Sequence, residues 1–347
     1  MGAAIGVKQE LYERFSVQGQ PVIAFAAPHS TQEASDGTIS IGLADFVERR
    51  FIPEYVMQRR PAGRAHLYAI LKHILSPERV DSAFHVDRFC RRTKLTHIAG
   101  WPYLDALPIS EITPETIQAL LATSMKRGYS AQTVNHIRNV LGSIFSFAML
   151  CGEHRGTNPV SSVPGLAIVR KQVPTLTLTE LKSLIGLMRY PERHIALMAL
   201  LTDMSVAEIC GLQWKHVNFS NDHEILGREQ LPPRTLAVRM QSYRGEFCSV
   251  KGKRSRLIPL PEPLNSVLQE LAFRPDFRSA EDFVLASRTG GRVNPDNIAG
   301  RRLKTIGRKL SHPLISWKVF QRTGVALKKQ FGKQAFKEIE RIVPVRR

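Results

Sequence analysis

Apolar residues recur with a helical period through most of the chain. Phe46, Phe51, Tyr55 and Val56 open an amphipathic stretch beginning near Leu43, and Leu67, Ile70, Leu71, Ile74 and Leu75 form a second stripe. Thr113-Pro114-Glu115 predicts a helix start, with a cap, a first-turn proline and an acid against the N-terminal dipole. Ser130 predicts another cap, and Val134, Ile137, Leu141, Ile144, Phe145 and Ala148 then share one face until Cys151-Gly152. In the second half, Thr177-x-x-Glu180 reads as a capping box ahead of Leu181, Leu184, Ile185 and Met188. Further helices are expected over Ile195–Leu201 and Val206–Trp214. The period then changes: Thr235 to Met240 alternates, Phe247 to Val250 follows Arg244-Gly245, and Leu257 to Leu260 closes a short basic turn. Two other stretches break the pattern. Before Leu43 only Val7–Phe15 suggests a short helix, and Asn158-Pro159, Pro164, Gly165 and Pro174 mark a linker.

This pattern predicts a mainly α chain with a small antiparallel β-sheet. Its expected parts are a partly disordered N-terminal extension (1–41), a helical domain (42–160), a linker (161–174) and a mixed domain (175–347). The 347 residues, 43% apolar, suffice for two cores. Charge narrows the function: 49 Lys+Arg against 30 Asp+Glu leave +19, with fourteen basic and two acidic residues from Arg301 onward. Such an excess points to a polyanion. The longest apolar run, Ile195–Leu201, falls far short of the roughly 20 residues a bilayer needs, and Val22–Ala27 stops at Pro28 without forming a secretory signal. Cys90, Cys151, Cys210 and Cys248 lack metal or disulfide spacing and read as reduced thiols of a cytoplasmic protein. Walker, HExxH and Rossmann motifs are missing, so neither cofactor nor metal is expected.

The candidate DNA contacts of the first half lie off the apolar stripe. Asn135, His136, Arg138 and Asn139 occupy the polar face of the helix that Ser130 caps, just after Lys126 and Arg127. Such residues can read base edges or hold phosphates; the alternative is an ordinary solvated face. His136 has no second metal ligand at i+3 or i+4. In the tail, Lys328, Lys329, Lys333 and Lys337 alternate with Leu327, Phe331, Ala335 and Ile339, a basic amphipathic pattern read as DNA or partner packing ahead of membrane binding.

Several segments, in order, resemble the tyrosine recombinase (phage integrase) family over roughly residues 44–327. Ile112-Thr113-Pro114-Glu115-Thr116-Ile117, Tyr129-Ser130-Ala131-Gln132-Thr133-Val134-Asn135 and Asn158-Pro159 look like its core-binding (SAM-like) domain. Leu200–Trp214, with Asp203-Met204-Ser205-Val206-Ala207-Glu208, is similar to its opening catalytic motif. Lys251-Gly252-Lys253-Arg254-Ser255-Arg256 resembles its lysine-bearing hairpin, and Ser316-Trp317-Lys318-Val319-Phe320-Gln321-Arg322 its His-x-x-Arg box.

The resemblance implies an integrase-type catalytic-like domain and DNA strand cleavage by a tyrosine, with two arginines on the phosphate, a histidine on the nucleophile's proton and a lysine on the leaving oxygen. Lys251 matches the lysine. Ser205 stands at the first arginine, Lys318 at the histidine and Gln321 at the second arginine, and neither Ser nor Gln offers a guanidinium fork. Neither a tyrosine nor a Gly-His pair follows Gln321, so the resemblance implies a truncated catalytic domain without its nucleophile. Lys251 is then a proton donor, a DNA contact or a solvated turn lysine, and Lys253, Arg254 and Arg322 are further phosphate contacts. Glu208 is expected to brace its neighbouring helix and Trp214 to lie in the core. The chain is thus expected to bind double-stranded DNA in integration or recombination, with self-association or other recombinase subunits as partners, and without strand cleavage of its own. The alternatives are an active recombinase with a nucleophile supplied in trans and a basic RNA-binding protein.

Overall fold

The computed structural model describes residues 41–85, 87, 95–169, 173–226, 228–243, 246–250 and 252–342, apart from the side chains of Tyr243, Lys253, Lys333 and Ile342. The helix expected at Val7–Phe15, the N-terminal extension and Lys251 lie outside the described residues. The chain divides into two compact units, Met1–Arg170 and Lys171–Arg347.

The first unit is helical. α1 (Leu43–Phe46) runs into wider, π-type turns over Val47–Val56, where Pro53 has no N–H for the regular ladder. α2 (Pro61–Leu71) and α3 (Pro77–Ala83) each begin on a proline. α4 (Pro114–Lys126) is capped by Thr113, whose side chain accepts from the Thr116 amide. α5 (Ala131–Cys151) is capped by Ser130 and ends at Gly152, whose φ of 81° is the left-handed stop a glycine takes without strain. Val134, Ile137, Leu141, Ile144 and Phe145 of α5 are buried with Phe46, Phe51, Leu71, Ile74 and Ile117 in one core. At roughly 1.5–3 kcal/mol per buried large side chain, this stripe is what holds α5 in place.

In the second unit, α6 (Leu178–Gly186) starts on the Thr177–Glu180 capping box with both reciprocal bonds formed. α7 (Glu192–Thr202) is buried along almost its whole length, and α12 (Trp317–Phe331) packs against it. Gly324 permits that crossing: a Cβ there would sit 2.0 Å from the Leu200 carbonyl oxygen. α8 (Val206–Ile209) is shorter than the helix expected over Val206–Trp214. The chain turns away at Gly211 because β-strand backbone lies against it, and a Cβ on Gly211 would come within 2.6 Å of Gln241 Cα.

The main sheet has antiparallel order β1-β4-β7, from Val217–Asn218, Thr235–Val238 and Arg256–Pro259, with Val217 opposite Leu236 and Leu236 opposite Ile258. β4 is buried at all four residues. Two hairpins join it, β2-β3 (Glu224–Leu226, Glu229–Leu231) and β5-β6 (Met240–Tyr243, Glu246–Ser249). The strand expected over Thr235–Met240 is therefore divided at Arg239, whose guanidinium turns aside to Glu229. α9 (Glu262–Ala272), α10 (Pro295–Ile298), α11 (Lys304–Lys309) and α13 (Ala335–Ile342) complete the unit. The fold is mainly α with small antiparallel sheets, as the periodicity implied. No helix among the described residues is long and apolar enough to cross a membrane.

Candidate nucleic-acid interface

In the second unit the positions of interest converge on the loop between α7 and α8. Asp203 ends α7 in the left-handed region at φ 60°, a conformation its short polar side chain tolerates. Ser205 then caps α8. The Ser205 amide donates to Glu208 Oε2 at 2.9 Å, and the Glu208 amide donates to Ser205 Oγ at 3.4 Å, closing a capping box. Where the resemblance calls for an arginine, serine therefore does the local work of starting a helix. Glu208 is buried, its side chain 4% exposed, and Arg256 of β7 grips it with two bonds of 3.2 Å each. Arg256 Nη1 also donates to the Arg254 carbonyl at 3.0 Å.

α12 supplies the other side. Gln321 Nε2 donates to the Asp203 carbonyl at 2.8 Å, and Lys328 Nζ donates to the Leu201 carbonyl at 2.9 Å. Half-burial pushes the Lys328 ammonium below its ordinary pKa, and Asp203 opposes the shift. Lys318 and Arg322 stay exposed on α12. Ser205 and Gln321 thus meet at one loop, and both are engaged in intramolecular bonds. The guanidinium beside them, Arg256, is balanced by a buried carboxylate. A phosphate transition state needs uncommitted cationic forks, and this loop presents none among its described side chains. Arg254 is exposed in the turn before β7. An apolar-lined groove of about 690 Å³ elsewhere in the unit, bordered by Trp214, Val217, Phe219 and Ala272, includes none of these residues. Trp214 belongs mainly to the core, donating its indole N–H to the Phe277 carbonyl at 3.0 Å.

The pairing of Arg256 with Glu208 was not foreseen from the sequence. Strand β7 reverses the usual signal: Leu257 is exposed while Arg256 is half-buried, so alternation of residue types did not indicate which face turned inward.

In the first unit, Lys126 ends α4 and is exposed, while Arg127 donates to the Ala99 carbonyl at 2.8 Å. His136 faces His66 of α2, with ring centroids 4.8 Å apart. Asn135 and Arg138 bind the protein's own backbone. Asn135 Nδ2 donates to the Leu166 carbonyl, and its Oδ1 accepts the Leu166 amide, both at 2.8 Å. Arg138 donates to the carbonyls of Val163 at 2.6 Å and Val160 at 3.2 Å. Both side chains strap the segment that follows α5 back along the helix, so residues 161–166 of the expected linker pack on the first unit.

Comparison with known proteins bears on the fold. No protein-family model and no curated protein sequence matches the chain. Among solved structures, the Tn1549 transposon integrase in complex with transposon right end DNA is similar at a TM-score of 0.60 and 13% identity, covering 87% of this chain and 92% of that one. The same integrase in complex with circular intermediate DNA gives 0.52 and 18% identity, over 79% and 90% of the two chains. A lambda integrase dimer bound to a COC' core site gives 0.53 and 16% identity, over 88% and 73%. At these identities the likeness is one of architecture: the chain has the tyrosine recombinase, or integrase, fold.

Proposed function

We propose that this chain is a DNA-binding protein of the tyrosine recombinase type, acting in DNA integration or recombination without cleaving strands itself. The observation that carries the second half of this reading is the loop at Ser205. Each of the two positions that would need a guanidinium holds a neutral side chain already committed to the protein's own backbone. The first half rests on the +19 charge, on exposed Lys126, Arg254, Lys318 and Arg322, and on an integrase fold whose solved examples hold DNA. His136 and Lys253 are further proposed contacts. Self-association on DNA belongs to the same reading, since lambda integrase is seen as a dimer on a core site and as a tetramer on a Holliday junction.

The test is binding to labelled duplex over a salt series, followed by incubation with a nicked suicide substrate. Log K is expected to fall linearly with log salt, by about 0.9 per phosphate engaged, and no covalent adduct should form. Affinity indifferent to salt, or tighter binding to RNA than to duplex DNA, would sink the DNA reading. A protein-linked labelled strand on a denaturing gel would sink the claim of inactivity.

A further inference from the structure

We infer that Asn135 and Arg138 are positioning residues that set the reach of the tether between the two units; the inference rests on the DNA-binding reading above. The segment after α5 is pinned at successive points. Asn158 Nδ2 donates to the Gly142 carbonyl at 2.9 Å and to Ser146 Oγ at 3.0 Å. Val160 and Val163 are buried in the first core, and Arg138 holds the carbonyls of both. Asn135 then takes both polar backbone groups of Leu166, the pairing a neighbouring strand would otherwise supply. The Asn135 bonds serve no hydrophobic burial, because Leu166 itself is exposed. Their effect is to carry the pinned segment of the first unit three residues past Val163.

The second unit takes hold by Val173, partly buried against its core, and again at Leu176, whose amide donates to Thr323 Oγ1 at 3.0 Å. Seven peptide steps separate Leu166 from Val173, a reach of at most about 25 Å at full extension. With the Asn135 and Arg138 grips released, Val163 is still held by burial in the first core, so ten steps are available, or about 35 Å. When one unit is bound to DNA, the local concentration of the other falls roughly as the −3/2 power of tether length. Lengthening from seven to ten steps therefore weakens joint binding by about 1.7-fold.

The experiment uses the full chain carrying Asn135→Ala with Arg138→Lys, which removes the bidentate grips and leaves net charge unchanged. Three readouts separate the alternatives. Amide exchange at Leu166 should speed up. In free protein, the distance distribution between spin labels placed one in each unit should extend to longer values. Affinity for duplex should drop by about 1.7-fold with an unchanged salt slope. A protected Leu166 amide, or a distance distribution identical to wild type, overturns the inference. So does released exchange with unaltered affinity. In a separate Arg138→Gln variant, a salt slope reduced by about one means that Arg138 holds a phosphate directly, which also overturns the positioning role. Failure of wild-type chain to bind duplex would instead remove the functional reading, and the exchange and distance readouts would still judge the strap.

Discussion

The strap beneath α5 and the loop between α7 and α8 solve one problem in two ways. Both contain polar side chains at positions the sequence singled out, Asn135 and Arg138 in one and Ser205 and Glu208 in the other, and both commit those side chains to partners within the protein. In the strap the partners are backbone groups near the surface, so each bond exchanges with water at little net cost. In the loop a carboxylate is taken out of water and must be matched. Glu208 is 4% exposed at its side chain and Arg256 33%. The difference teaches that the strap governs geometry while the loop governs stability, and the two should fail differently.

The largest expected effect follows from removing one partner of the buried pair. Arg256→Ala leaves Glu208 with the Ser205 amide but without its counter-charge. Breaking such a pair costs roughly 3–5 kcal/mol, and the partial exposure of Arg256 places this site at the lower end, about 3 to 4. Chemical denaturation followed by a probe in the second unit measures it. Replacing both members, Arg256→Met with Glu208→Leu, should recover part of the loss, because no unpaired charge remains. If the single variant is as stable as wild type, the loop resembles the strap after all and the contrast fails.

A buried group with neither kind of partner sharpens the comparison. His73 is 5% exposed, its ring lies against Trp101 and Tyr129, and its Nδ1 has no hydrogen-bond partner among the described residues. Burial, helped by nearby Lys72, pushes the imidazole down to about 4. The unfolded chain takes up its proton near the ordinary value of 6.5 while the folded chain resists. Between those two pH values the unfolded state therefore binds more protons, and stability is lost as pH falls. A shift of this size amounts to about 3 kcal/mol, present in full above pH 6.5 and gone below about 4. His194 in the second unit shifts in the same direction for the same reason. Denaturation midpoints measured from pH 7.5 to 4 should fall, and His73→Phe should flatten part of that fall. A pH profile unchanged by His73→Phe would show that the ring is hydrated in the folded state.

What was legible in the sequence was whatever is decided within about four residues. The stripe Val134 to Ala148, the caps at Ser130 and Thr113 and the Thr177–Glu180 box all depend on neighbours a turn away, and all are present. Hairpin β2-β3 was not foreseen, because Glu224–Leu231 shows no clean alternation of polar and apolar residues. The early end of α8 depends on Gln241 backbone, thirty residues downstream of Gly211 in a separate hairpin. The candidate site was legible as a set of positions but not as a set of bonds. The sequence shows Ser205 and Gln321 where the resemblance implies guanidinium groups, but not their bonds to the Glu208 amide and the Asp203 carbonyl. That Arg256 would reach across 48 residues to Glu208, or that Asn135 would turn to a backbone segment 31 residues on, is decided by tertiary course alone.

The smallest expected effect concerns Ser205 itself. In the structure it is a helix cap, and a cap has a characteristic response to substitution. Ser205→Ala removes the acceptor for the Glu208 amide and should cost about 1 kcal/mol; Ser205→Gly, which keeps the extended cap conformation accessible, should cost only a few tenths of that relative to Ser. Ser205→Asp should retain the cap hydrogen bond, yet it places a second carboxylate beside Glu208, so its stability should fall below wild type and recover as salt is raised. Denaturant midpoints should fall in the order wild type, Gly, Ala, with Asp below wild type until salt is raised. If Ser205→Arg instead proves more stable than wild type, the loop has room for a guanidinium and the cap is not what Ser205 contributes.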